Sequence, residues 1–359
     1  MQSQSKLIVS TSPHLRNQAS STQRIMLDVI IAMLPALLAS VWFFGLRSLI
    51  LVMVAVAASV FAEWFYQRHT HQESTIHDLS AVVTGMLLAF NMPASAPWWL
   101  AVIGSFLAIV LVKQIFGGLG NNFMNPALTA RTILMLSWTA LMAARVMPQA
   151  GQLLAGLSGA TPDVIASATP LARGEGNATY TLWQLFSGNV PGMLGETSKL
   201  ALLLGGVYLM IRRIIDWRVP VCFIATVFVL FLIKDGVVYS AETGADNALY
   251  QVLSGGLFLG AFFMATDYVT CPITRKGKVI MGIGCGLMLF VVRVGIGELT
   301  LFTRGVYHNS YPEGCSFAIL FMNAFTPLID KLTAPRVFGD VKPPKKKTHK
   351  GASAAKEGV

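Results

Sequence analysis

Two threonines in a polar loop are the residues of this chain whose type and setting best suit covalent chemistry. The loop spans residues 148–198 and interrupts an otherwise apolar sequence. It contains Ser158-Gly-Ala-Thr161 and, a few residues on, Asp163-Val-Ile-Ala-Ser-Ala-Thr-Pro-Leu171, in which the second threonine is Thr169. A threonine hydroxyl has little reactivity of its own at neutral pH and needs an enzyme to activate it. Small neighbours let such a hydroxyl enter that enzyme's site. Loops of this length inside compact folds are as a rule functional or disordered. A cofactor attached here would make the protein a redox component and not a simple transporter.

A second group of residues suits non-covalent binding. Asn125 followed by Pro126 is a strong helix start, an N-cap and a first-turn proline. It follows Phe116-Gly-Gly-Leu-Gly-Asn-Asn122, too glycine-rich to continue a helix. A helix start inside protein aims several N–H donors and a positive dipole end at one place, which favours an anion or a polar ring. The same run also reads as a tight turn whose donors are met by Asn121 and Asn122, and the two readings are compatible. Asp267, between Thr266 and Tyr268 at a helix end, is the carboxylate best placed to meet a cation or a cofactor hydroxyl. The candidate contacts are therefore Asn121, Asn125, Thr266 and Asp267. No residue is assigned a catalytic role.

Other polar residues in apolar surroundings carry less. Asp28, Glu63, Lys113, Glu298 and Asp330 fall near the ends of apolar runs, where a side chain can reach the interface. Arg131 and Arg293 are harder to place that way, and charges within a bilayer face a polar interior or path. Cys222, Cys271, Cys285 and Cys315 have no Cys-x-x-Cys spacing and read as small buried hydrophobes. Neither metal nor iron–sulfur ligation by this chain alone is expected.

The elements that position these residues are membrane helices. The chain is 54% hydrophobic and 12% charged, with a mean hydropathy of +0.61, outside the range of soluble domains. Ten apolar runs approach the length that crosses a bilayer: 26–44, 48–66, 79–90, 98–116, 127–147, 200–215, 219–233, 248–265, 279–294 and 314–332. The polar segment 1–24 has no secretory signal and is expected to persist. With ten spans both termini share one side, together with Lys6, Arg68, Arg212, Arg213, Arg218, Arg275 and the basic residues from Lys331 to Lys356. The opposite side collects only Arg47, Arg145, Arg173, Lys199, Lys234 and Arg304. The positive-inside rule then places both termini in the cytoplasm and the threonine loop outside. The net charge of +10 requires no nucleic acid; a lysine-rich tail beside anionic lipid accounts for it.

The sequence also echoes itself. Leu79-Ser80 followed by an apolar stretch and Phe90-Asn-Met-Pro93 returns as Leu253-Ser254 followed by Phe263-Met-Ala-Thr-Asp267. Phe123-Met-Asn-Pro126 returns as Phe321-Met-Asn323 with Pro327. Five spans on each side of the loop would give two halves of opposite orientation, the architecture of inverted-repeat transporters with sites at broken helices. The expected fold is an all-α integral membrane protein of about ten transmembrane helices in two inverted five-helix repeats with broken half-helices. The expected divisions are 1–24, 25–147, the attachment loop 148–198, 199–332 and the basic tail 333–359.

Several segments resemble a known family. They are Ser12-Pro-His14 with Ile25-Met26, Gly117-Gly-Leu-Gly-Asn-Asn-Phe-Met-Asn-Pro-Ala127, Ala168-Thr-Pro-Leu171, Phe263-Met-Ala-Thr-Asp-Tyr-Val269, Pro312-Glu-Gly314, and Met322-Asn323 with Pro327-Leu-Ile-Asp330. Their order and spacing resemble the D-type subunit of the Rnf electron-transport complex, itself homologous to the B-type subunit of the sodium-translocating NADH:quinone oxidoreductase. The resemblance implies FMN held by a phosphoester to a loop threonine, transferred there from FAD by a separate flavin transferase. Aligning Thr-Pro-Leu places the acceptor at Thr169. The family's usual glycine is Ser167 here, and the literal Ser-Gly-Ala-Thr ends at Thr161, which stays the alternative.

The resemblance further implies a translocase component in the bacterial inner membrane that passes electrons between ferredoxin and NAD⁺, coupled to Na⁺ or H⁺ movement. Its implied partners are iron–sulfur subunits and a second subunit with covalent FMN. The flavin would supply the redox chemistry and the protein its position and potential. A second, non-covalent flavin between the halves stays open. Two alternatives remain: the B-type component of the quinone reductase, and a urea-type solute channel built from the same kind of repeats.

Overall fold

The computed structural model describes residues 21–148, 150–151, 170–171, 180–238, 247–294 and 314–335. Thr161, Thr169 and most of the loop, terminal and tail segments expected above lie outside these residues. Among the described residues the regular elements are all helices, and one isolated bridge joins Pro93 and Met193.

Among the described residues four helices are long and apolar enough to cross a membrane: α1 (Thr22–Phe44), α2 (Leu46–His69), and, late in the chain, Arg275–Val294 and Cys315–Thr333. Ser21 caps α1 by accepting from the Arg24 amide, and Gly45, at φ +77°, ends it and turns the chain into α2. Large apolar side chains stand exposed along the outer surfaces, among them Leu38, Trp42, Met53, Ile211 and Ile233. Such a surface suits lipid and not water.

Between these long helices the elements are shorter. They are α3 (Ser80–Phe90), α4 (Trp98–Gln114), α5 (Pro126–Ser137), α6 (Thr139–Ala143), α7 (Leu182–Ser187), α8 (Lys199–Ile211), α9 (Arg218–Asp235), α10 (Ala248–Leu253) and α11 (Leu257–Leu259). From α11 the chain continues as π-helix over Gly260–Met264, and α4 loosens into π-helix over Leu107–Gln114. The two long late helices are α12 (Arg275–Val294) and α13 (Cys315–Thr333).

Two expected spans are broken. The run 127–147 stops at Trp138, whose backbone (φ −127°, ψ 56°) leaves the helix while its ring packs edge-on against Trp99. The run 248–265 is interrupted at Ser254–Gly256, where Gly255 takes φ +67°. Mean apolar content alone does not register such breaks, because both stretches stay hydrophobic on average across them.

Small residues set the helix spacing, as they do where lipid supplies no hydrophobic drive. A β-carbon at Gly205 of α8 would overlap the Ala32 carbonyl of α1, and one at Gly282 of α12 would stand 2.8 Å from the Val219 carbonyl of α9. The Leu194 and Gly195 amides donate to the Met92 and Phe90 carbonyls (3.0 and 2.9 Å). That pairing ties the end of α3 to the segment leading into α8.

Candidate functional site

A cleft opens between helices that precede the loop and helices that follow it. Its volume is about 790 Å³, part of it open to the surroundings. Ile25, Met26 and Val29 of α1, Ser80 and Thr84 of α3, and Lys113 of α4 line it from one side. The start of α5 contributes Asn122, Asn125 and Pro126. Phe262, Phe263, Thr266, Asp267 and Tyr268 close it from the other side. Three of the four residues expected to contact a ligand, Asn125, Thr266 and Asp267, are thus brought together. Asn121 is not: it is exposed and donates to the Gly117 carbonyl (3.1 Å), while its neighbour Asn122 is buried and lines the cleft.

The start of α5 is built as its sequence suggests. The Asn125 side-chain oxygen accepts from the Leu128 amide (3.2 Å), with Pro126 in the first turn. The Asn125 amide nitrogen reaches the Met264 carbonyl (3.5 Å) across the cleft wall. With the Asn323 amide turned to satisfy both its ends, its oxygen accepts from the Asn125 backbone N–H (3.2 Å) and its nitrogen donates to the Ile319 carbonyl (3.2 Å). Thr266 donates to the Phe262 carbonyl (2.6 Å), and Asp267 accepts from the Val269 amide and the Thr270 hydroxyl. These bonds are local, so Asp267 also serves to end its own helical segment.

Snorkelling does not account for Glu63 and Lys113. Both are fully buried and form an ion pair at 2.8 Å. Gln114 and Thr75 also donate to the same Glu63 oxygen (2.8 and 3.2 Å), and Lys113 reaches Ser80 as well. The other carboxylate oxygen, Oε2, has no hydrogen bond among the described residues. The two charges stand 50 positions apart and gave only a weak signal in sequence. Glu63 belongs to α2 and Lys113 to α4, which pack side by side. Asp28 is paired too, accepting from Tyr208 of α8 and from Arg212 at its end (2.9 Å each).

The two arginines expected to need polar surroundings have them. Arg131 donates to the Asn91 side chain (3.1 Å) and the Ser316 hydroxyl (2.6 Å). Arg293 donates to the Gln251 and Ser254 carbonyls (2.6 and 3.1 Å), the latter at the break between α10 and α11. Buried guanidinium groups thus satisfy carbonyls and amides that broken helices leave open. All four cysteines are free thiols.

Comparison with known proteins decides the affiliation. Residues 8–339 match the NQR2, RnfD, RnfE family. The chain belongs to that family. It is 44% identical over 341 residues to the D-type component of the Na(+)-translocating ferredoxin:NAD(+) oxidoreductase complex of Acetobacterium woodii, covering 94% of this chain and 96% of that one. It is 37% identical to the counterpart in the proton-translocating complex of Clostridium ljungdahlii, over 92% and 96% of the two chains. Against the same component of the ion-translocating oxidoreductase complex of Salmonella paratyphi A the identity is 34%, over 92% and 98%. The family match spans the cleft, the broken helices and the polar loop together.

Proposed function

We propose that this protein is the D-type membrane component of an ion-translocating ferredoxin:NAD⁺ oxidoreductase complex, with FMN joined by a phosphoester to Thr169. The observation that carries this reading is the near full-length likeness to the D-type components of such complexes. A flavin so attached supplies one- and two-electron transfer. In the proposed topology ten spans form two inverted five-helix halves, 25–147 and 199–332, with both termini cytoplasmic and the loop 148–198 outside. The echoed segments support it: the first pair, 80–90 and 257–264, are both short and buried, and in the second pair Asn125 meets its echo Asn323.

The cleft suits a second, non-covalent flavin or a coupling cation. Its walls are mainly apolar, with a few polar groups among them, which is the usual make-up of a cofactor pocket. Thr266 and Asp267 would hold ring or ribityl donors, or a cation, while Phe262 and Phe263 exclude water. Partner subunits supply the nicotinamide site, the iron–sulfur clusters and the next covalent flavin, and a flavin transferase loads Thr169.

The test is intact mass with in-gel fluorescence of the denatured chain. The mature protein should be heavier by one FMN residue, and Thr169→Ala should abolish the fluorescence while the protein stays in the membrane. Retained fluorescence in Thr169→Ala with loss in Thr161→Ala moves the attachment eight residues. Cysteines introduced by Gly174→Cys and Ser353→Cys, in a background without native cysteines, should react with impermeant maleimide from opposite sides.

A further inference from the structure

Pro170 and Leu171, the two residues that follow Thr169, are buried in the body of the protein. Leu171 is 5% exposed. Its Cδ1 lies 2.8 Å from the point where a β-carbon on Gly255 would stand, and the Arg293 guanidinium lies 3.3 Å from the same point. Only a residue without a side chain leaves room there, and the φ of +67° at Gly255 independently favours glycine. Pro170 lines a small recess with Pro191, Glu196, Lys199 and Ser254. Leucine is thus seated in a hole made by the break between α10 and α11, and Arg293 fastens that break through the Ser254 carbonyl.

This seat has a consequence for the loop. A residue two positions along the chain lies within about 7 Å, measured Cα to Cα. A group joined to Thr169 is therefore tethered within that reach of the Leu171 seat. A flavin on a free loop would sample many positions, and electron transfer depends on orientation and distance.

We propose that Leu171 is a positioning residue: its insertion at Gly255 docks the flavin-bearing segment against the broken helix, and it takes no part in flavin attachment. The proposal rests on the assignment of the flavin to Thr169. Burial of a leucine side chain corresponds to roughly a 10- to 100-fold bias toward the docked state. Loading requires Thr169 to enter another enzyme's site, so it precedes seating or needs the seat to open.

The test uses the whole complex in membranes. A reporter cysteine is introduced by Ser254→Cys, a buried position lining the same recess as Pro170, in the cysteine-free background, with Leu171→Ala, Leu171→Met and Gly255→Ala added singly. Maleimide labelling should speed up about tenfold or more in Leu171→Ala and in Gly255→Ala, in line with the bias that leucine burial supplies, and Leu171→Met should restore the slow rate. In-gel flavin fluorescence should be unchanged in Leu171→Ala, while the rate of covalent-flavin reduction by the assembled complex falls. Unchanged labelling in Leu171→Ala overturns the docking. Loss of fluorescence in Leu171→Ala also overturns it, because Leu171 would then belong to the transferase's recognition sequence. Failure of the Thr169 assignment is read separately, from fluorescence surviving in Thr169→Ala, and leaves the labelling comparison intact.

Discussion

Asn125 and Asn323 meet across the core, the backbone N–H of the first donating to the side-chain oxygen of the second at 3.2 Å. One starts α5 and the other lies within α13, far along the chain. Each belongs to a Phe-Met-Asn run. Their contact joins helices on opposite sides of the loop at the wall of the cleft, where Asn125 also holds the Met264 carbonyl.

Removing this side chain should therefore be felt in two ways. Asn125→Leu loses the cap on Leu128 and the bond to Met264, and a lost N-cap costs about 1 kcal/mol. A lower thermal midpoint in detergent is expected, with Asn125→Ser retaining most of the stability because serine also caps. Equal midpoints for wild type and Asn125→Leu would show that the helix start is held by packing alone.

The buried Glu63–Lys113 pair supports a sharper stability experiment. Lys113→Met strands a carboxylate in the interior, a change that costs about 3–5 kcal/mol. Glu63→Gln combined with Lys113→Met should recover most of that loss. A double variant as unstable as the single one would mean that Lys113 acts mainly through Ser80 and not through the carboxylate.

Coupling should depend on the cleft and not on the loop. Asp267→Asn removes the one carboxylate among the described cleft-lining residues and keeps the shape. Under the proposed function, reconstituted vesicles should then take up fewer ions per electron, with assembly and the proposed covalent flavin retained. An unchanged ratio would reduce Asp267 to its local role of ending a helix through Val269 and Thr270.

A separate pH effect belongs to the turn between α8 and α9. Burial pushes the Asp216 carboxyl up, but the Arg218 amide and guanidinium, with Lys278, outweigh it and hold the group below the usual carboxylate range. A depressed folded-state pKa contributes stability above the unfolded value, near 3.9, and that contribution disappears as pH falls below about 4. Asp216→Asn should lower the midpoint slightly at neutral pH and flatten its decline on acidification. Because the pair is partly exposed, added salt should shrink the difference.

Much of this protein is legible in its sequence. Hydropathy alone marks α1, α2, α12 and α13 within a few residues, since long uninterrupted apolar runs have one stable answer in lipid. Asn125-Pro126 announces the start of α5, because capping and a first-turn proline are local effects. The order of short motifs discloses the family, and the family match then covers residues 8–339.

Tertiary structure decided the rest. Hydropathy treats 248–265 as one span, yet the chain breaks at Gly255, where Leu171 occupies the space a side chain would need. Glu63 and Lys113 look like interface charges until α2 and α4 are packed side by side, which buries both and pairs them. Asn121 and Asn122 are indistinguishable as letters, and only the path of the Gly-rich turn sends one outward and the other into the cleft. Capping and hydropathy act over a few residues and can be read in order. Burial, pairing and the choice of which side chain faces a cavity depend on neighbours far along the chain, so packing alone assigns them.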